Sequence, residues 1–168
     1  LVGLEPYQVA RKGMVRSFQD VRLFNRLSCL QNVMMAVQHQ PGENFATLAF
    51  AKRRVDAAEA ETREKALEWL RFVGMGDFAD VPAAALSYGQ TKLVSLARVL
   101  ATEADVLLLD EPASGIDTKW VDTMLDLIEQ VRDHGRTVCV VEHNLHVVGR
   151  LADHTYFMEL GQITAQGT

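Results

Sequence analysis

An apolar run ends in two acids at Val106-Leu107-Leu108-Leu109-Asp110-Glu111, so a strand built from it delivers a pair of carboxylates to one sheet edge. Asp110 has the chemistry to enter a Mg²⁺ shell, and Glu111 to polarise a water. Upstream, Ser87-Tyr88-Gly89-Gln90 joins a helix-capping hydroxyl to a glycine whose missing Cβ lets a backbone N–H approach an anion. Such a turn suits phosphate at a helix N-terminus. Two further polar groups follow predicted strands, Gln19 after Met14-Val15-Arg16-Ser17-Phe18 and His143 after Val138-Cys139-Val140-Val141-Glu142. Phosphate gripped at a turn and water activated by a carboxylate are the ingredients of phosphoryl transfer.

The elements that must position these groups follow from periodicity and punctuation. A brief helix starts at Pro6 and stops by Gly13, and a strand over 14–18 leads to Gln19. A helix is expected over 30–38, a break at Pro41-Gly42, and a long amphipathic helix over 53–73, with Ala66, Leu67, Trp69, Leu70 and Val73 near one face and Gly74 as its C-cap. The Trp69 stripe reads as core. Leu93, Leu96, Ala97 and Leu100 recur at helical spacing behind Ser87, which places that turn at the start of a packed helix. A strand over 105–109, a helix over 118–133, a strand over 137–141, a helix over 144–151 and a hairpin over 155–166 complete the chain. Alternation of strand and helix predicts parallel strands with crossover helices, and open sheets of this kind bind ligands beyond the carboxyl ends of their strands. Gln19, Asp110-Glu111 and His143 therefore converge on one edge. Taken singly, a glutamine after a strand is equally a solvated turn residue, an Asp-Glu pair a helix-terminal charge, and a histidine after a strand a structural one. His143 and His146 share the spacing of one helical face, with no third ligand nearby in sequence.

The motif Leu86-Ser87-Tyr88-Gly89-Gln90, followed by the strand that ends in Asp110-Glu111, resembles the ATP-binding subunits of ABC transporters. Their signature reads Leu-Ser-Gly-Gly-Gln and their Walker B strand ends in Asp-Glu. Tyr88 in place of the first signature glycine looks like the branched-chain amino acid importers; a ring packed under the turn explains it equally well. Arg16-Ser17-Phe18-Gln19 with Leu23-Phe24 resembles the Q-loop region, Ser114-Gly115-Ile116-Asp117 the D-loop, Val141-Glu142-His143-Asn144 the switch histidine, and 161–168 the family's tail.

The resemblance implies an α/β, P-loop NTPase-like parallel sheet with flanking helices and a helical signature subdomain over roughly 25–100, within a single partial ABC ATPase domain spanning 1–168. It implies ATP and Mg²⁺ as ligands. Glu111 would be the general base, Asp110 and Gln19 would hold the metal, and His143 would contact the γ-phosphate. Ser87, Gly89 and Gln90 would face ATP held by a second ATPase subunit, with Asp117 bridging the two. Transmembrane permease subunits, and a periplasmic substrate-binding protein through them, are the further partners. The implied location is the cytoplasmic face of the inner or plasma membrane. Arg22, Leu23, Phe24, Phe45, Leu48 and Phe50 lie where such subunits dock a permease, and some of them must instead be core.

One component of the pattern is missing. None of the 11 glycines is followed by lysine, so no G-x-x-x-x-G-K-[ST] loop is present, and the expectation is a chain lacking its N-terminal β portion and hydrolysing no ATP alone. Two classes of function follow from this. One is the ATPase of an importer for branched-chain or related amino acids, with urea, amide and lipopolysaccharide systems as close variants. The other is a non-hydrolysing assembly module that lends its signature to a complete subunit.

Composition narrows the field without choosing between these. The 168 residues, 48% hydrophobic and 23% charged, suffice for one sizeable core. With 17 Lys+Arg against 22 Asp+Glu the net charge is −5, so no broad basic face is offered and nucleic acid is not an expected partner. Cys29 and Cys139 stand far apart with no CxxC, which points to reduced thiols rather than a disulfide framework or zinc site. No apolar run reaches the length of a membrane span, and none reads as a signal peptide.

Overall fold

A computed structural model describes residues 1–17, 22–38 and 52–168. Helix α1 (Pro6–Arg11) opens with proline at its first turn and a reciprocal cap between Glu5 and Gln8. Gly13, at φ +80°, turns the chain into strand β1 (Met14–Arg16). Phe18 and Gln19, expected at the end of this strand, lie outside the described residues.

Helix α2 (Cys29–Met34) is capped by Ser28, whose hydroxyl accepts from the Gln31 N–H while Gln31 caps in return. The helix expected to continue to residue 38 stops at Met34, because Ala36 and Val37 bond three residues back, to Val33 and Met34, and tighten the chain out of the α-helix. Fully buried Asn32 ties the preceding segment down: its Oδ1 accepts from Phe24 N at 2.8 Å, and its Nδ2 donates to the Phe24, Leu27 and Ser28 carbonyls. Leu23 packs against the core, whereas Phe24 is 49% exposed. Phe45, Leu48, Phe50 and the Pro41-Gly42 break lie outside the described residues.

Helix α3 (Lys52–Phe72) packs on α2 and on helix α4 (Tyr88–Leu100) through buried Ala66 and Leu70, with Val73 just beyond its end and Trp69 partly buried against the same core. Strand β2 (Val106–Asp110) buries Leu107 and Leu109, and helix α5 (Thr118–Asp133) buries Met124, Leu125, Leu127, Ile128 and Val131 at helical spacing. Strand β3 (Thr137–Val141), helix α6 (Leu145–Leu151) and the antiparallel pair β4 (Thr155–Glu159) and β5 (Gln162–Gly167) follow. Strands β1, β2 and β3 form a parallel sheet in that order, with Met14 opposite Val106 and Asp110 opposite Val141. This is the expected α/β layout. Burial of Leu107 (0% exposed) and its cluster removes apolar surface from water at about 25 cal/mol per Å², which is what holds the strand ends in place.

Arg150 of α6 reaches across to Asp122, Asp126 and Glu129 of α5, so a cluster of ion pairs fixes the angle between these helices. No helix among the described residues is long and apolar enough to cross a membrane.

Candidate active site

The parallel register brings three chain crossings to one edge. Beyond β1, Ser17 N donates to Leu108 O at 2.8 Å, and Ser17 Oγ accepts from Asp110 N at 3.1 Å. Beyond β2, Glu111 N donates to Val141 O at 2.9 Å, which carries the β2–β3 ladder one residue past the strand. Glu111 then takes φ +44°, a left-handed conformation that costs a side-chain-bearing residue about 1–2 kcal/mol and is sustained by its surroundings.

That backbone geometry aims the side chain. Glu111 Oε1 stands 3.3 Å from His143 Nδ1, with the carboxylate side chain 23% exposed and the imidazole 72% exposed. An acceptor oxygen therefore sits at the rim where solvent reaches it, oriented by a ring that itself faces outward. Glu142 points elsewhere: its Oε1 accepts from Ala113 N at 3.3 Å and holds the loop that follows Glu111. Asp110 Oδ2 pairs with Arg16 Nη2 at 2.7 Å.

The Ser87 turn is built as its sequence predicts. Ser87 caps α4, its Oγ accepts from Gln90 N at 3.4 Å, Gln90 Oε1 accepts from Ser87 N at 2.9 Å, and Thr91 Oγ1 donates to Ser87 O at 2.9 Å. Gly89 meets a demand that was not visible in the sequence: a Cβ there would lie 2.7 Å from Trp120 Cδ1, so the helix approaches α5 as closely as it does because the residue is glycine. Tyr88, half exposed, leans on Gly115, where a Cβ would come 3.2 Å from its ring. The signature turn and the 114–117 loop are thus in direct contact. Asp117 is exposed at the N-cap of α5 and makes no side-chain cap bond.

Lys92 escaped notice in the sequence. It is 5% exposed on the buried stripe of α4, donates from Nζ to Glu111 O at 3.1 Å and stands 5.6 Å from the Tyr88 ring centroid. A lysine at the helical spacing of Gly89, Leu96 and Val99 is the signal that could have found it. Gln19 lies outside the described residues. His146 is exposed and its N–H takes the cap from Asn144 Oδ1 at 3.0 Å, and among the described residues no group of three His, Cys, Asp or Glu is placed to hold a metal.

The model of the ABC transporter family matches residues 4–114. The chain belongs to the ABC transporter family. It is similar to the high-affinity branched-chain amino acid transport ATP-binding protein BraF of Pseudomonas aeruginosa, at 36% identity over 99% of this chain and 66% of the relative. The corresponding protein LivG of Escherichia coli is 32% identical over 100% of this chain and 66% of its own length. Among solved structures, a nucleotide-free ATP-binding cassette from an ABC transporter superposes with a TM-score of 0.80 at 31% identity, covering 98% of this chain and 64% of the other. The chain thus spans just under two thirds of the relatives it matches. The expected P-loop NTPase-like class, a parallel sheet with flanking helices, agrees with that superposition.

The residues of this ABC transporter chain suit a hard cation. Magnesium in phosphoryl-transfer sites takes one or two carboxylates together with phosphate and water oxygens, so an all-protein cage is not required. Asp110 offers one such carboxylate at the strand end, where it is paired with Arg16.

Proposed function

We propose that this chain belongs to the ATP-hydrolysing part of an ABC importer for branched-chain or related amino acids. The observation that carries the reading is the 3.3 Å approach of Glu111 Oε1 to His143 Nδ1 at the carboxyl ends of adjacent parallel strands. The names of the relatives support the transported class.

In this reading Glu111 orients the attacking water and accepts its proton, a role for which its rim position and fixed backbone equip it. His143 holds the carboxylate in place and reaches the γ-phosphate from its exposed side. Asp110 and Gln19 would hold Mg²⁺, which would neutralise charge on the phosphates. The Arg16 guanidinium pairs with the Asp110 carboxylate and holds it in place at the strand end. Ser87, Gly89 and Gln90 present a helix N-terminus to nucleotide held by a second ATPase subunit, with Asp117 at the contact between the two. Permease subunits in the membrane, and through them a periplasmic substrate-binding protein, complete the assembly on its cytoplasmic side, and residues 25–100 form the helical subdomain that faces them.

Phosphate release from Mg-ATP by a complete protein that adds a G-x-x-x-x-G-K-[ST] loop to this chain, together with its partner subunits, tests the reading. Glu111→Gln is expected to lower turnover by about 10²-fold or more while nucleotide still binds, since general-base removal costs that much and the carboxylate acts on water. Turnover near wild type in this variant removes Glu111 as the base. Absence of turnover in the wild type, with stimulation of a separate complete ATPase subunit, favours the assembly module instead.

A further inference from the structure

Glu111 is held in its left-handed conformation from three directions. Its N–H donates to Val141 O at 2.9 Å, and its carbonyl accepts from Ser114 N at 3.2 Å and from Lys92 Nζ at 3.1 Å. The first two contacts come from the strand end and the loop themselves. The third comes from the signature helix, from a cation 5% exposed that stands in the interior of α4 five residues beyond its cap. An ammonium in such a place carries a desolvation cost that a methionine or leucine would avoid, so its presence calls for a role that an apolar side chain could not fill.

We propose that Lys92 is a positioning residue for Glu111, through which the signature helix sets the direction of the carboxylate. The peptide plane of Glu111 decides where its Cα–Cβ bond points, and with it whether Oε1 comes within 3.3 Å of His143 Nδ1. Lys92 fixes that plane by its bond to the carbonyl. The same Nζ lies over the ring of Tyr88, next to the capping Ser87, so a shift of the first turn of α4 reaches Glu111 through one side chain. Nucleotide against Ser87 to Gln90 and water against Glu111 are on this account coupled within one chain, in addition to any coupling between subunits.

The proposal rests on the reading of Glu111 as the residue that acts on water, and its test separates the two. Lys92→Met keeps length and burial and deletes the donor; Lys92→Arg keeps a donor. In the complete protein that carries the G-x-x-x-x-G-K-[ST] loop, with its partner subunits, Lys92→Met is expected to lower kcat by about tenfold or more, the scale of effect that small misplacement of a catalytic group produces, while KM for ATP stays within about twofold. Lys92→Arg is expected to recover most of the loss, and the melting temperature of the Met variant is expected not to fall, because a buried cation has been replaced by an apolar side chain of similar volume. The His143 imidazole resonances, read by NMR with no nucleotide present, are expected to move in Lys92→Met and to stay near wild type in Lys92→Arg.

Unchanged kcat and unchanged His143 resonances in Lys92→Met overturn the proposal. So does a fall in kcat matched by a fall in melting temperature and not rescued by arginine, which marks Lys92 as structural. If the wild type itself shows no hydrolysis, the functional reading fails while the His143 resonances still decide the positioning. Should Lys92→Met not fold, Lys92→Gln, with a shorter donor, takes its place in the same measurements and is expected to give an intermediate shift; no shift overturns the proposal.

Discussion

A methyl group at position 89 has nowhere to go, since it would stand 2.7 Å from Cδ1 and 2.9 Å from Cγ of Trp120. Gly89→Ala is therefore expected to destabilise the chain by about 1–3 kcal/mol, the usual cost of overpacking, seen as a lower urea midpoint. Trp120→Leu in the same background is expected to return part of that loss; an additive pair shows that the two residues are not in conflict. The cysteines differ as sharply. Cys29 is buried with its thiol against Val81 O, and burial pushes its pKa up, so thiolate is scarce in the folded state at any pH below that raised value. Folding is correspondingly disfavoured as pH climbs past the ordinary thiol value, because the unfolded thiol ionises first. Cys139 is exposed, and a thiol reagent at pH 8 is expected to label it at once and Cys29 only after denaturation; two equal fast reactions contradict the burial of Cys29. Asp110, Glu111 and His143 were legible in the sequence because each ends an apolar run, a local signal. Trp120, Lys92 and Arg16 were not, because their roles arise from contacts between residues far apart in the chain, which no spacing rule encodes.

At the scale of elements, punctuation set the boundaries. The C-terminus of α3 turns at Gly74, with φ +74°, where Met75 N bonds back to Leu70 O at 2.7 Å and Gly74 N to Arg71 O at 3.0 Å. Nothing lies within 4 Å of where its Cβ would stand, so Gly74→Ala meets a conformational cost alone. A loss of about 1–2 kcal/mol in a thermal or urea melt is expected, with Gly74→Asn losing less because asparagine tolerates the left-handed region. No loss at all would mean the helix end relaxes into another turn. The contrast with Gly89 is instructive: one glycine is required by its dihedral angle and the other by its neighbour. Long periodic segments such as α3, α5 and α6, and the apolar strands β2 and β3, were readable to within a residue or so. The end of α2 was not, because i→i+3 bonds at Ala36 and Val37 override a continuing helical pattern. The order of the strands was likewise beyond the sequence, since it depends on which ladder each crossover helix permits.

Considered whole, the molecule joins a packed body to a hairpin that has no core of its own. β5 is exposed along its length and β4 nearly so, with Tyr156, Phe157, Met158, Leu160 and Ile163 all open to water. A two-stranded hairpin is marginally stable in isolation, and side chains of this kind form a patch that other surfaces can cover. The chain as a whole carries the opposite tendency, a net charge of −5 that keeps copies apart. Such a chain is an amphiphile, and its behaviour in bulk solution follows from the competition between the two. Raising ionic strength from 0.1 M to 1 M shortens the reach of the repulsion from about 10 Å to about 3 Å and leaves the oily hairpin untouched. The second virial coefficient, measured by light scattering, is expected to turn from positive to negative over that range, and Phe157→Lys with Ile163→Lys to hold it positive. A coefficient that rises with salt would show that charge, not the hairpin, governs attraction between copies. Salt, which ordinarily keeps an acidic protein comfortable on the bench, is for this one expected to bring its molecules together like droplets of a thinning emulsion.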